Sequence, residues 1–138
     1  MITYNIFKNG CDHVFTMSYD DGKIEDRRLV ALMNRYGIKG TFNLNSGRLG
    51  EENFVCADEV RELYKGHEVA VHTVTHPFPN RCAPDTIYKE IAGDRAALER
   101  LVGYPVRGMA YPFGAYNDQV IEIAKNCGIV YSRTTQYD

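Results

Sequence analysis

Residues 68–76 of the chain read EVAVHTVTH, an apolar run that ends in two histidines four residues apart. The valine-rich run predicts a strand over residues 68–72. The three residues between the histidines are β-branched and Pro77 follows, which argues against a regular helix. A tight turn after the strand can still bring both imidazoles to one point, as in zinc motifs. The alternative is one histidine in the core and one exposed.

The sequence on both sides of this stretch alternates between strand and helix patterns. Because such alternation is typical of parallel strands with helical crossovers, the chain is predicted to be one α/β domain over residues 1–138. An open doubly wound sheet and part of a (β/α) barrel both fit this pattern. The further strands are predicted over 13–19, 41–45, 106–111 and 129–132, and the helices over 24–36, 59–65, 85–102 and 118–126.

Unusual polar residues follow the predicted strands at their carboxyl ends, where both architectures place functional groups. Asp20 and Asp21 follow the first strand within TMSYDDG, residues 16–22. Alone, Asp-Asp-Gly is a common turn. Together with His72 and His76, however, one of the aspartates would complete a three-ligand site. That ligand set suits Zn²⁺, or alternatively Co²⁺, Ni²⁺ or Fe²⁺, and the second aspartate could act as a base.

A third group of interest is the AYPFG sequence over residues 110–114, after the fourth predicted strand. A backbone N–H in this turn could donate to a developing oxyanion. The alternative is a proline-directed turn that packs two aromatic rings. The remaining histidines, His13 and His67, precede strands and are therefore expected to have structural roles at the opposite end of the sheet.

The composition narrows the classes of partner. A net charge of -2 argues against nucleic acid binding, and no apolar run approaches the ~18 residues of a membrane span. The N-terminal residues lack the features of a signal peptide, so we expect a cytoplasmic protein. The four cysteines form no C-x-x-C pair and are interpreted as small buried apolar residues.

Three motifs resemble, in order and spacing, the first three motifs of the NodB-type polysaccharide deacetylases, carbohydrate esterase family four. They are SYDDG at 18–22, HTVTHP at 72–77 and YPFG at 111–114. The resemblance implies a distorted (β/α) barrel and a hydrolase in which metal-bound water attacks the acetyl group of N-acetylated, or sometimes O-acetylated, carbohydrate. The implied roles are Asp20 as base, Asp21, His72 and His76 as metal ligands, and the Phe113 amide as oxyanion donor, with Tyr111 and Pro112 in the same substrate-binding turn.

The chain also departs from the family pattern. Many members have an arginine at the position of Ala110 that orients the base, and Arg107 nearby need not reach Asp20. The fourth motif, an acid followed by tryptophan, and the last motif, Leu-x-His, are absent. We therefore expect a domain that lacks its C-terminal portion, including the general acid, and that is slow or inactive while still binding metal.

Two other functions fit these departures. One is a non-catalytic module that binds sugar or acetate on the same fold, and the other is a metal-dependent hydrolase of another C–N bond. A partial barrel of about five strands also has unpaired edges, which favour pairing with a second copy of the chain as a homodimer.

Overall fold

The computed structural model describes residue 7 and residues 10–136. Its centre is a parallel sheet with the strand order β1-β2-β3-β4-β5. The strands are β1 (Ser18–Asp21), β2 (Thr41–Leu44), β3 (Glu68–Val71), β4 (Gly108–Ala110) and β5 (Tyr131–Arg133). The helices are α1 (Asp26–Arg35), α2 (Val60–Leu63), α3 (Pro84–Val102) and α4 (Asp118–Asn126).

The strand order decides between the two predicted architectures. Each strand lies beside its neighbour in sequence, so every crossover steps in the same direction, whereas the strand order of a doubly wound sheet reverses. In a flat sheet the outer strands would be about 19 Å apart, at ~4.8 Å per strand. Instead, Arg133 on β5 donates to Asp20 on β1. The sheet is therefore curled into a half-barrel, which confirms the partial (β/α) barrel.

Side chains alternate between the two faces of the central strands. Phe42 and Leu44 on β2 pack with Val69 and Val71 on β3 in the core, and all four are buried. Each such side chain stabilises the fold by roughly 1.5–3 kcal/mol. Asn43, which lies between the two apolar residues of β2, points to the other face, where it contacts β1. The strands thus present a polar face at the site.

The first strand begins later than predicted. The apolar residues Val14 and Phe15 are exposed, at 54% and 78%, and pairing begins only where Ser18 meets Thr41. The apolar run predicted the start of β1 wrongly, because neither Val14 nor Phe15 joins the buried core. Consequently Asp20 and Asp21 belong to the strand itself. The other element ends differ from prediction by three residues or fewer, and α4 matches it.

None of the helices in the described ranges is both long and apolar enough to cross a membrane.

Candidate metal centre and active site

The three predicted metal ligands, Asp21, His72 and His76, meet at the carboxyl ends of β1 and β3. The Nε2 atoms of His72 and His76 are 3.1 Å apart. Asp21 Oδ1 lies 3.8 Å from the His72 Nε2 atom and 3.6 Å from the His76 Nε2 atom. One ligand atom from each residue lies within 4.8 Å of the other two. The three side chains therefore converge on one point.

The chemistry of these three residues fits a divalent cation. His72 Nδ1 lies 2.7 Å from the Ala110 carbonyl oxygen, which can only accept, so Nδ1 carries the proton and the Nε2 lone pair faces the site. Burial lowers the pKa of His72, which keeps the ring neutral. Asp21 Oδ1 is buried and has no hydrogen-bond partner in the described structure. This donor set matches the ligands that zinc and related metals prefer.

The turn that carries the second histidine has an unusual backbone. Thr73 and His76 have φ values of 68° and 61°, in the left-handed region that a β-branched residue such as threonine rarely adopts. Asn45 stabilises the turn, because its Nδ2 donates to the carbonyl oxygens of His72 and Thr73 at 2.5 and 3.0 Å. His76 N–H also donates to Thr73 Oγ1 at 3.1 Å. This non-helical turn brings both imidazoles to the site, so neither is an isolated core histidine.

Asp20 lies beside the three ligands and is held by other partners. Its Oδ2 is 3.9 Å from His72 Nε2. Asn43 Nδ2 donates to its Oδ1 at 2.9 Å, and Arg133 Nη2 lies 2.5 Å from both carboxylate oxygens. Arg133 Nε in turn donates to Ser18 Oγ at 3.1 Å. The carboxylate therefore has a fixed orientation next to the candidate metal centre.

Arg133 is the functional residue that the sequence reasoning missed. The arginine was sought at position 110, where Ala110 is buried, while Arg107 is exposed before β4 begins. In the sheet, however, Arg133 is the direct partner of Ala110, and Tyr111 N–H donates to the Arg133 carbonyl oxygen. The guanidinium of Arg133 thus reaches Asp20 from β5, the strand next to the one that carries Ala110. Its position at the carboxyl end of a strand was the signal that could have revealed it.

The third motif forms a tight turn next to the histidines. Phe113 has a left-handed backbone, with φ of 59°, and its ring packs against His76 at 4.5 Å and stacks on Phe78 at 3.8 Å between centroids. Among the residues that the structure describes, no acceptor partners the Phe113 N–H. Tyr111 stacks on Tyr116, so the turn also packs aromatic rings, as the alternative interpretation held.

The remaining histidines lie away from the site, as predicted. His13 is exposed and pairs with Asp12. His67 is buried before β3, where its Nδ1 accepts from the Gly40 N–H at 3.3 Å.

Comparison with known proteins agrees with this geometry. A family model described as polysaccharide deacetylase matches residues 8–132. The chain belongs to the polysaccharide deacetylase family. Within this family, the poly-beta-1,6-N-acetyl-D-glucosamine N-deacetylase of Staphylococcus aureus is 26% identical to the chain over 115 residues, which cover 72% of the chain and 40% of that protein.

Solved structures show the same fold. The Streptococcus pyogenes deacetylase PplD, in complex with acetate, superposes with a TM-score of 0.77 at 25% identity, covering 80% of this chain and 51% of that one. The Bacillus cereus polysaccharide deacetylase BC0361 superposes with a TM-score of 0.85 at 21% identity, covering 94% and 42%. The chain spans less than half the length of the curated relatives that it matches.

Proposed function

We propose that this chain carries the metal centre and the catalytic base of a hydrolase that removes acetyl groups from N-acetylated carbohydrate. The observation that carries the proposal is an oriented carboxylate, Asp20, beside a convergent Asp-His-His set. The names of the relatives support the substrate class, since one is an N-deacetylase of a glucosamine polymer and another was solved with acetate.

Asp21, His72 and His76 would hold the cation, and zinc suits this ligand set best, although cobalt, nickel or iron can bind the same donors. When bound, the cation would lower the pKa of water to about 7 and polarise the acetyl carbonyl. Asp21 contributes the negative charge and the histidines contribute neutral nitrogen donors. The buried, unpartnered Oδ1 of Asp21 is the atom that would gain most from the ion.

Asp20 would accept the proton of the attacking water through one of its carboxylate oxygens. Arg133 and Asn43 hold that carboxylate so that it faces the site without competing as a ligand. The Phe113 N–H would donate to the acetyl oxygen as negative charge develops there. Protonated Asp20 would pass the water's proton to the nitrogen as the amide C–N bond breaks, which gives acetate and a free amino sugar.

The test is acetate release from β-1,4- and β-1,6-linked N-acetylglucosamine oligomers by zinc-loaded protein, with Asp20→Asn as the matched control. We expect slow release by the native chain, which falls to background in Asp20→Asn, while both proteins bind zinc. If both bind zinc and neither releases acetate, the proposal is wrong and a non-catalytic binding module is favoured.

A further inference from the structure

We propose that Asp94 on α3 is a positioning residue for the metal centre, and that it holds the backbone of His72 where the imidazole can reach the cation. Glu90, one helical turn earlier, holds the rest of the turn that ends in His76. This inference rests on the metal-binding role proposed above and adds two residues that touch neither metal nor substrate.

Asp94 has an unusual environment. Its side chain is fully buried, and its two oxygens accept from two different backbone groups: Ser46 N–H at 2.7 Å and His72 N–H at 3.0 Å. No cationic side chain pairs with it in the described part of the chain. A buried carboxylate without a cation is costly, so an apolar side chain would serve plain packing better. Two acceptor oxygens are needed here because two strand-end segments are joined.

The position of the His72 ring depends on this contact. The ring is fixed at its Nδ1 by the Ala110 carbonyl oxygen, and the His72 N–H is shared between Asp94 Oδ2 and the Leu44 carbonyl oxygen, each at 3.0 Å. A shift of the backbone would therefore tilt the ring about its other anchor and move Nε2, the ligand atom. Partners of this kind, which orient a ligand from behind, typically change metal affinity 10–100-fold when they are removed.

Glu90 extends the same support along the turn. Its carboxylate accepts from Thr75 N–H at 2.8 Å and from Thr75 Oγ1 at 2.6 Å, and its carbonyl oxygen accepts from Val74 N–H at 3.2 Å. Residues four apart lie on one face of a helix, so both acids of α3 face the turn. Strained backbone persists only where its surroundings fix it, and Thr73 and His76 are the two strained residues of this turn.

The test is zinc affinity of Asp94→Asn by isothermal titration calorimetry, together with the visible absorption of the Co²⁺ form. Asparagine keeps the volume but has one acceptor oxygen, so its amide would face one of the two N–H donors. We expect zinc to bind about 10- to 100-fold more weakly, with an altered Co²⁺ spectrum.

The matched control is Glu99→Gln. Glu99 is also on α3 and also accepts a backbone N–H, that of Val106 at 2.9 Å, but near the C-terminal end of the helix, away from the metal centre. The zinc affinity of Glu99→Gln should stay within about twofold of the native value, since distant sites act independently. A purely structural role for Asp94 would lower the thermal stability of Asp94→Asn and leave its zinc affinity unchanged.

Native zinc affinity in Asp94→Asn would overturn this inference alone. Failure of the native chain to bind zinc would overturn the proposed function as well. If Asp94→Asn does not fold, the zinc affinity of Glu90→Ala tests the proposal instead. This variant is expected to fold, because Glu90 is only partly buried. That variant should bind zinc about tenfold more weakly, and an unchanged affinity would contradict the proposal.

Discussion

The guanidinium of Arg133 donates to both carboxylate oxygens of Asp20, although the two residues are 113 positions apart and lie on opposite outer strands of the sheet. The contact joins the first and last strands across the hollow of the half-barrel. It also places a permanent positive charge behind the candidate base and fixes its orientation. The curl of the sheet therefore brings Arg133 to Asp20, and the same contact orients the candidate base.

Arg133→Gln should lower kcat of acetate release about 10- to 100-fold, a part of the 10²–10⁴-fold that a general base contributes. Zinc affinity should stay near native, because Arg133 contacts none of the three ligands. Arg133→Lys should be intermediate, since an ammonium cannot reproduce the planar guanidinium contact. The control is Arg107→Gln, at an exposed arginine before β4. Native kcat in Arg133→Gln would refute the positioning role.

The two neighbouring aspartates should respond differently to the same substitution. Asp20→Asn should lose about 10²–10⁴-fold in turnover while keeping zinc, because it removes the base alone. Asp21→Asn should lose tight zinc binding, because it removes the charged ligand of the set. Calorimetry with zinc and an acetate assay on both variants separate the roles. Loss of zinc from Asp20→Asn and its retention in Asp21→Asn would mean that the roles are reversed.

The stack of Phe78 on Phe113 should support the oxyanion turn. The rings are 3.8 Å apart with an interplanar angle of 9°, and Phe113 also contacts His76. Aromatic pairs contribute about 0.5–1.5 kcal/mol, so Phe78→Ala should reduce kcat/KM by up to about tenfold. Tyr36→Ala, at an exposed ring at the C-terminal end of α1, is the control. Equal kcat/KM values in the two variants would exclude this contribution.

Asp26 should make stability depend on pH in the metal-free chain. Burial raises its pKa from 3.8 to about 6, while Tyr64 Oη donates to its Oδ2 at 2.7 Å. The folded state therefore binds the proton more tightly than the unfolded state, and its contribution to stability is lost as pH rises from about 4 to 6.

The unfolding free energy of Asp26→Asn, whose side chain is always neutral, should consequently rise relative to that of the native chain by about 2 kcal/mol between pH 4 and pH 7. Urea unfolding of both proteins with a chelator present measures this difference. A difference in unfolding free energy that stays constant with pH would contradict the assignment.

Within the described residues, β1 pairs only with β2 and β5 only with β4, so each outer strand has one unpaired edge. Exposed edges favour pairing with another chain, and we predict a homodimer. Light scattering on a dilution series tests this, and a monomer at all concentrations would contradict it.

The alternation of strands and helices was predictable because strand and helix patterns are local. The valine-rich strand before His72 and the Gly103 that ends α3 with φ of 80° are examples of such signals. That Asp21, His72 and His76 lie together was predictable because the carboxyl ends of parallel strands meet at one edge of the sheet. The predicted start of β1 was wrong, because the burial of Val14 and Phe15 depends on which distant residues pack against them. A local sequence pattern does not identify those residues.

Contacts between distant segments were beyond sequence reasoning. Arg133 reaches Asp20 only because the sheet curls, and Asp94 lies under His72 only because α3 packs against β3. A charged residue within a helix, such as Asp94, is expected to be exposed, yet its side chain is completely buried. Such residues are identified by their partners in space.

The most direct test of the central claim is a crystal structure of the zinc-loaded chain with anomalous diffraction recorded at the zinc edge. The account predicts one strong peak, bonded to Asp21 Oδ1 and to the Nε2 atoms of His72 and His76 at about 2.0–2.2 Å, with Asp20 adjacent and unbound. No peak at these three side chains, or a peak held by Asp20 in place of Asp21, would contradict it.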